Sequence, residues 1–281
     1  MQHVDPYKSL ADAAYQGAPG AYSEEAAQAF LGAGARLMPC ATLEQTFDAV
    51  ADGRASHAVV PVESAIAGTV PNVYELLLSH DLAVAGERSI NIDYVLVAPS
   101  GTERASVRRV MSHPLALAQC ADFFRTNRGL EAVSVFDTAG GVRLAMEAGD
   151  GQTAAIASRR AASLYGAAII GEHIQDHLQN WTRFLLVSAA AQKTQVEAPQ
   201  KALIAFGLKH EPGALLKALK PLADHGLSIT KIEGRPLPGS QFDYRFLVEM
   251  VAPEGEAVSL AAIQELKQAT TWIKVLGAFR L

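Results

Sequence analysis

Short apolar runs alternate with helix-like segments along most of this chain. The run Ala58-Val59-Val60-Pro61-Val62 is wholly apolar, which is typical of a strand buried on both faces of a sheet. A T-x-x-Q capping box at residues 42–45 predicts a helix that ends near Gly53. Strands and helices in alternation indicate an α/β fold. We predict further strands over residues 90–97, 107–111 and 184–187, and further helices over residues 114–127 and 158–165.

The pattern changes after residues 192–200, a polar stretch with a proline that we interpret as a linker. Beyond it we predict strand, helix, strand, strand, helix and strand over residues 202–208, 213–225, 227–233, 242–251, 257–269 and 272–279. A βαββαβ order in about 80 residues is the ferredoxin-like arrangement. Since such a sheet leaves one face and one edge to be covered, we expect this part of the chain to pair with a second copy.

Composition and charge narrow the class of protein. The chain has 281 residues, of which 49% are hydrophobic and 19% charged, so we expect about two globular domains. A net charge of -5 argues against a nucleic-acid partner. The sequence has no apolar run of the roughly 18–20 residues that a bilayer needs, and its start lacks signal-peptide features. Two distant cysteines, Cys40 and Cys120, make a disulfide framework or a metal site improbable, so we predict a cytoplasmic protein.

Polar clusters interrupt the apolar pattern at predicted strand ends, where α/β sheets usually place ligands. In G-A-P-G-A-Y-S-E-E-A-A, residues 17–27, glycines precede a helix that we expect Ser23 to cap. Its free N–H groups would point at an anion, although a tight turn with an N-cap explains the same residues. In P-V-E-S-A-I-A-G-T-V, residues 61–70, Glu63 ends a buried strand. It is either a functional carboxylate or one half of a salt bridge.

Three more clusters follow along the chain. His113, in S-H-P-L-A-L-A-Q-C, is either a helix cap or a catalytic group. Asp137 and Thr138, in D-T-A-G-G, either belong to a functional site or simply cap the next helix. In N-W-T-R-F, residues 180–184, Arg183 is suited to holding a carboxylate or to pairing with a neighbouring acid. The sequence has no P-loop, no convincing dinucleotide fingerprint and no G-x-S-x-G, so ATP, NAD and hydrolase-triad functions lose their main support.

In order and spacing, these clusters resemble the prephenate dehydratase family, of the monofunctional type with a C-terminal ACT regulatory domain. The resemblance runs from about residue 13 to the end of the chain and includes H-E-P-G-A-L-L-K-A-L at 210–219 and K-I-E-G-R-P at 231–236. It implies two α/β subdomains shaped like a type 2 periplasmic binding protein, followed by a ferredoxin-like ACT domain. The implied boundaries are an extension at 1–11, a catalytic domain at 12–191 (subdomain one 12–88 and 175–191, subdomain two 89–174), the linker at 192–200 and the ACT domain at 201–281.

The resemblance also implies an activity, the conversion of prephenate to phenylpyruvate, carbon dioxide and water in phenylalanine biosynthesis, with no cofactor. Thr182 matches the family's essential threonine, and we expect it to pass a proton to the leaving hydroxyl. Arg183 would hold a carboxylate, and Glu63 would position Thr182 or a water molecule. The expected substrate-binding positions are Gly20, Ala21, Tyr22, Ser23, Ser64, Thr138 and Phe184. Arogenate dehydratase and a non-catalytic amino-acid sensor are the alternatives.

For the tail, the resemblance implies that elements of two subunits enclose L-phenylalanine. The implied binding residues are Gly213, Ala214 and Leu215 at a helix start, and Glu233, Gly234, Arg235 and Pro236 in a loop after a strand. We therefore expect a dimer or a dimer of dimers. Two segments depart from the family pattern: P-V-E-S-A stands where P-V-E-N-S is usual, and E-G-R-P where E-S-R-P is usual.

Overall fold

A computed structural model describes residues 10–189, 197–237 and 244–281 of the chain. These residues form two compact units. Unit one comprises the described residues 10–76 and 88–186, and unit two comprises the described residues 77–87, 187–189, 197–237 and 244–281. Strands β5 (Leu82–Asn91) and β11 (Trp181–Ala189) each continue from one unit into the other. Within the described ranges, no helix is both long and apolar enough to cross a membrane.

Unit one contains two sheets. The elements of the first are β1 (Ala11–Gln16), β2 (Leu37–Cys40), β3 (Ala55–Ser64) and β4 (Gly68–Thr69), with helices α1 (Tyr22–Leu31), α2 (Leu43–Ala51) and α3 (Val73–Ser79). The strand order is β11-β3-β1-β2, and β1 runs parallel to β2 and β3. Because β3 is covered on both faces, Val59, Val60 and Val62 are all fully buried, as the apolar run predicted.

The second sheet of unit one follows the same logic. Its elements are β6 (Val95–Ala98), β7 (Arg109–Ser112), β8 (Glu131–Ser134), β9 (Thr153–Ala157) and β10 (Ala168–Gly171), with helices α4 (Pro114–Ala118), α5 (Ala121–Thr126), α6 (Thr138–Ala148) and α7 (Arg159–Tyr165). The strand order is β10-β6-β9-β7-β8. All five residues of the central strand β9 are buried, which places it in the core between the helix layers.

Unit two is a βαββαβ domain. Its elements are β12 (Lys201–Gly207), α8 (Ala214–Asp224), β13 (Ser228–Pro236), β14 (Tyr244–Val251), α9 (Leu260–Gln268) and β15 (Trp272–Phe279). The strands lie antiparallel in the order β13-β14-β12-β15. One face of the sheet packs on α8 and α9 around Phe206, Leu222 and Leu266. The predicted α/β class, with two subdomains and a ferredoxin-like domain after them, is confirmed.

Two predicted elements are each broken in the structure. The predicted strand over 90–97 is interrupted at residues 92–94, where Ile92 N–H donates to the Asn180 carbonyl and Tyr94 N–H donates to the Gln175 side chain. The predicted helix over 114–127 is two helices, because the carboxylate of Asp176 accepts the N–H groups that begin α5. Both interruptions depend on partners more than 50 residues away in the sequence.

Three predicted boundaries are also wrong. Helix α1 begins at Tyr22 with Ala21 as its N-cap, so Ser23 does not cap it. The residues Glu233–Pro236 do not form a loop after a strand but are the last four residues of β13. The predicted strand over 107–111 begins two residues later, at Arg109. Phe242 and Asp243, which belong to the strand predicted over 242–251, lie outside the described residues.

Candidate functional site

The clusters P-V-E-S-A and N-W-T-R-F come together at the neighbouring strands β3 and β11. Arg183 donates through Nη2 to Glu63 Oε2 at 2.8 Å, and the Arg183 side chain is only 15% exposed. Ala65 N–H donates to the Trp181 carbonyl, which joins the end of β3 to the start of β11. Arg183 and Glu63 therefore form the ion pair that the sequence left as an alternative for each of them.

Thr182 directly precedes Arg183 in β11 and is half-buried. Its hydroxyl forms no hydrogen bond with any residue in the part of the chain that the structure describes. A half-buried hydroxyl without a protein partner is suited to bonding a bound molecule. Phe184, the next apolar residue of β11, is 2% exposed and belongs to the core with Ala13 and Val59, so its side chain is part of the packing.

Ser64 has a clear structural role. Its Oγ accepts the N–H groups of Ile66 at 3.3 Å and Ala67 at 3.2 Å, and the residue is 5% exposed. These bonds close the turn that leads into β4, whose residue Gly68 pairs with Ser64. A serine hydroxyl does here what local side-chain-to-backbone bonds do in many turns. The predicted contact of Ser64 with substrate stays a prediction.

The glycine turn before α1 is occupied by a carboxylate of the protein itself. Gly20 has a φ of 92°, in the region that favours glycine, and its N–H donates to Glu24 Oε2 at 2.6 Å. Arg160 donates to the same oxygen at 3.2 Å. The expected free N–H of Gly20 is thus bound to Glu24, whereas the N–H groups of Tyr22 and Ser23 begin the helix without intrahelical acceptors.

Asp137 connects two of the predicted clusters. Its carboxylate accepts Gly140 N–H at 2.6 Å as the N-cap of α6, and it also accepts Ala18 N–H at 3.2 Å. The half-buried Thr138 is the first residue of α6. His113 is the N-cap of α4, since its Nδ1 accepts Leu115 N–H at 3.2 Å. Burial lowers the pKa of His113, and the nearby Asp137 carboxylate opposes that shift.

A buried polar network near Thr182 was missed by the sequence analysis. The amide oxygen of Gln119 accepts the Tyr94 hydroxyl at 3.1 Å and Asn180 Nδ2 at 3.0 Å. Asn180 is fully buried, and its Oδ1 has no hydrogen-bond partner among the described residues. Gln119 and Asn180 each belong to a quoted cluster, S-H-P-L-A-L-A-Q-C or N-W-T-R-F. Their membership of these clusters is the sequence feature that could have identified Gln119 and Asn180 as residues near the site.

The predicted site residue Tyr22 lines a cavity of about 360 Å³ in unit one. Its hydroxyl donates to the Asp93 carbonyl at 2.6 Å, and burial raises the pKa of its phenol well above the ordinary value. Burial also raises the pKa of the Glu25 carboxyl in the same cavity. The lining residues are Tyr22, Glu25, Asn91, Asp93, Ser158, Arg159 and Arg160. In the described ranges, no group of three or more His, Cys, Asp or Glu residues could hold a metal ion.

Unit two has a cavity of about 250 Å³ at the start of α8. It is lined by Leu208, Lys209, His210, Glu211, Ala214, Leu215, Tyr244 and Phe246. Of the predicted ligand-binding residues, Ala214 and Leu215 line this cavity, and Gly213 is the N-cap of α8 with a φ of 78°.

None of the predicted residues Glu233–Pro236 is among the residues that line this cavity, but two of them pair with strand residues that do. Gly234 is paired with Phe246 and Pro236 with Tyr244, and these two aromatic residues line the cavity. Arg235 donates to Glu233 at 3.0 Å. His210 and Glu211 were missed as site residues, although the motif H-E-P-G-A-L-L that contains them had been noted.

Comparison with known proteins decides the family. The family model described as prephenate dehydratase matches residues 13–192, and the ACT domain model matches residues 202–269. The chain belongs to the prephenate dehydratase family. The family resemblance of the clusters is thereby confirmed, and so is the ACT domain at the C-terminal end.

Relatives within this family are similar over almost the whole chain. The Arabidopsis thaliana protein named arogenate dehydratase/prephenate dehydratase 2 is 36% identical over 95% of this chain and 72% of its own length. The bifunctional chorismate mutase/prephenate dehydratase of Aquifex aeolicus is 37% identical over the same shares.

Two solved structures are also similar over 95% of this chain. The Arthrobacter aurescens prephenate dehydratase in complex with L-Phe has a TM-score of 0.84 and 26% identity, with 90% of that chain covered. A structure described as GqqA, a novel type of quorum-quenching acylase, has a TM-score of 0.85 and 35% identity, with 97% of that chain covered.

Proposed function

We propose that this chain converts prephenate to phenylpyruvate, carbon dioxide and water. The observation that carries the proposal is that three residues of the quoted clusters lie at the ends of the neighbouring strands β3 and β11: Thr182, whose hydroxyl has no partner in the described residues, and the ion-paired Arg183 and Glu63. Membership of the prephenate dehydratase family and the names of relatives that are 36–37% identical support it.

The reaction needs a proton at one end of the substrate ring and the loss of carbon dioxide at the other. As the C–C bond to the ring carboxylate breaks, its electron pair enters the ring, and the opposite hydroxyl leaves as water after accepting one proton. Thr182 is the donor of that proton in our proposal. Since a threonine hydroxyl is a very weak acid, the transfer is concerted with C–C cleavage or is relayed through a water molecule. The aromatic product supplies the driving force.

The Glu63–Arg183 pair has an electrostatic role in this proposal. A lone carboxylate beside Thr182 would repel a substrate that carries two negative charges. Arg183 offsets the charge of Glu63 at 2.8 Å and so keeps the site from being anionic. The same bond holds the guanidinium in one orientation, which prepares it to meet a substrate carboxylate without reorganisation.

Arogenate is the second candidate substrate, because the Arabidopsis relative that is 36% identical is named for both activities. The two substrates differ in the side chain, where arogenate carries an ammonium group and prephenate a keto group. We propose prephenate as the substrate and measure turnover of both prephenate and arogenate. A simple N-acyl amide is the third substrate, since the GqqA structure is described as an acylase.

The test is steady-state turnover of these three substrates by the wild type, Thr182→Val and Thr126→Val. Thr126 is an exposed threonine of α5 whose hydroxyl donates to carbonyls of its own helix and accepts Asn127 Nδ2, and it is the matched control. We expect Thr182→Val to lower kcat by about 100-fold or more with little change in KM, because a proton donor acts mainly in the transition state. Equal turnover in Thr182→Val would refute the role of Thr182, and wild-type activity on the amide alone would refute the dehydratase.

We further propose that L-phenylalanine binds the cavity of unit two and regulates the enzyme. The ACT domain and the cavity of about 250 Å³ support this, as does the L-Phe in the name of the Arthrobacter structure. Calorimetry tests it with Ala214→Leu, which fills the cavity, and with Ala223→Leu, an exposed position of the same helix. We expect binding to be lost only in Ala214→Leu. Absence of heat from L-phenylalanine with the wild type would sink the proposal.

We infer that the chain assembles as a dimer or a dimer of dimers. Strand β13 is the edge of the unit-two sheet in the described residues, and it exposes Ile229 by 36% and Ile232 by 45%. An exposed apolar edge strand is a ready template for pairing with a second copy. Light scattering at micromolar concentration measures the mass, and Ile232→Lys should lower it.

A further inference from the structure

A short segment, residues 77–87, precedes the second half of unit one in the sequence but packs with the ACT domain in unit two. It contains the last residues of α3 and the first residues of β5. Within unit two, this segment bonds to Lys274 and Lys201 and pairs with Gly277. Helix α3 therefore starts in unit one and ends in unit two.

Lys274 of β15 binds the end of helix α3. Its Nζ donates to the carbonyls of Leu77 at 3.2 Å, Leu78 at 3.0 Å and His80 at 3.1 Å. The last carbonyls of a helix have no intrahelical donor, and the helix dipole favours a cation there. All three N–H donors of one lysine thus satisfy the C-terminal end of a single helix.

Two further contacts fix the same segment. Lys201 donates to Glu87 at 2.7 Å and lies 3.0 Å from Glu249, and the Lys201 and Glu249 side chains are only 6% and 3% exposed. Gly277 is paired with Val84, and a Cβ at position 277 would lie within 2.4 Å of the Val84 carbonyl oxygen. The buried ion pairs and this close approach leave the segment little freedom to shift along the sheet.

Helix α3 begins near the candidate active site. Glu63 and Ser64 pair with Thr69 and Gly68 of β4, and Val70 N–H bonds to the Val62 carbonyl. Residue Asn72 then turns the chain, and α3 starts at Val73. Seven helical residues rise only about 10 Å, so one rigid and mostly buried helix connects the β4 hairpin to the carbonyls that Lys274 binds.

We propose that Lys274 is a positioning residue: by fixing the C-terminal end of α3, it fixes the β4 hairpin and hence the strand end that carries Glu63. The proposal uses the dehydratase activity proposed above for one of its two readouts.

The test compares Lys274→Met with Lys267→Met, which changes an exposed lysine of α9 in the same domain. Lys274→Met keeps the length and apolar stem of the side chain and removes the three donors. We expect amides over residues 62–79 to exchange hydrogen at least tenfold faster in Lys274→Met, with kcat at least fivefold lower and KM within twofold. Lys267→Met should match the wild type, and Lys274→Arg should restore most of kcat, because it keeps donors and charge.

Other outcomes overturn the proposal. If faster exchange is confined to residues 77–81, or if kcat is unchanged, Lys274 only caps the helix. If Lys274→Met does not fold, Lys274→Gln, which keeps two donors, is judged by the same criteria. If the wild type turns over none of the substrates, the proposed function fails, and exchange alone decides: acceleration that extends over residues 62–70 supports positioning, and its absence refutes it.

Discussion

The hydroxyl of Ser158 links the start of α7 to the glycine turn before α1, a region that Tyr165 and Arg160 of α7 also contact. Ser158 Oγ donates to the Gly20 carbonyl at 3.0 Å and accepts Ala161 N–H at 3.0 Å, and the residue is 3% exposed. Replacing it by alanine removes both bonds without opening a path for water. We expect Ser158→Ala to destabilise unit one and to loosen the turn that carries the predicted substrate-binding residues from Gly20 to Ser23.

The expected loss in the free energy of unfolding is the sum of the contributions of these two hydrogen bonds. Loss of a serine N-cap costs about 1 kcal/mol in most helices. The Gly20 carbonyl, left buried without its donor, adds about 1–3 kcal/mol. The free energy of unfolding should therefore fall by about 2–4 kcal/mol, since the two losses add at one residue. For a unit of this size, each kcal/mol corresponds to a shift of about 2–4 °C in Tm, which predicts a decrease of about 4–16 °C.

The assay is urea unfolding and thermal unfolding of the wild type, Ser158→Ala and Ser163→Ala. Ser163 lies on the exposed side of the same short helix, so its replacement controls for helix propensity and should change stability by less than about 0.5 kcal/mol. Substrate KM is measured in parallel and should rise in Ser158→Ala alone. A Ser158→Ala protein with wild-type stability would show that the hydroxyl does not hold the turn, and the reasoning would fail.

Two further predictions concern Gln119 and His113. Gln119→Met leaves the Tyr94 hydroxyl and Asn180 Nδ2 buried without an acceptor, so urea unfolding should show a loss of about 2–5 kcal/mol that Gln119→Glu, which keeps an acceptor, partly restores. Burial lowers the pKa of His113, so between that pKa and the ordinary value of about 6.5 the unfolded state binds more protons and stability rises with pH. NMR titration should place the imidazole below its ordinary value, and the pH slope should flatten in His113→Asn; a normal titration would contradict this.

Local signals predicted much of the fold because their partners are close in sequence. The T-x-x-Q box forms as expected, since Thr42 Oγ1 accepts Gln45 N–H at 3.2 Å and Gln45 accepts Ala41 N–H in return. Pro114 stands at the first position of α4, and Ser158 caps α7. The alternation in the tail also gave the order of all six ACT elements, because helix and strand periods differ clearly there.

Distant partners decide where the prediction failed. No sequence feature near residue 120 indicates that the carboxylate of Asp176 caps a new helix there. Residues 92–94 alternate apolar and polar side chains as a strand does, but the N–H groups of Ile92 and Tyr94 donate to Asn180 and Gln175 instead of a neighbouring strand. Glu249 of β14 is a charged residue, yet it is buried because Lys201 pairs with it. Such pairings depend on the tertiary fold and leave no local pattern.

The same limit explains why functional and structural roles could not be separated for single residues. Asp137 was weighed as a helix cap, and it is one, but its second oxygen also accepts Ala18 N–H in the glycine turn. Glu24 lies in the first turn of α1, and its carboxylate bonds both Gly20 N–H and Arg160. Each carboxylate thus satisfies a helix start and joins one of the quoted clusters to another element of unit one. A polar side chain can order the turns around a site only if hydrogen bonds within the fold fix its own position. The same side chain therefore caps a helix and orders the site.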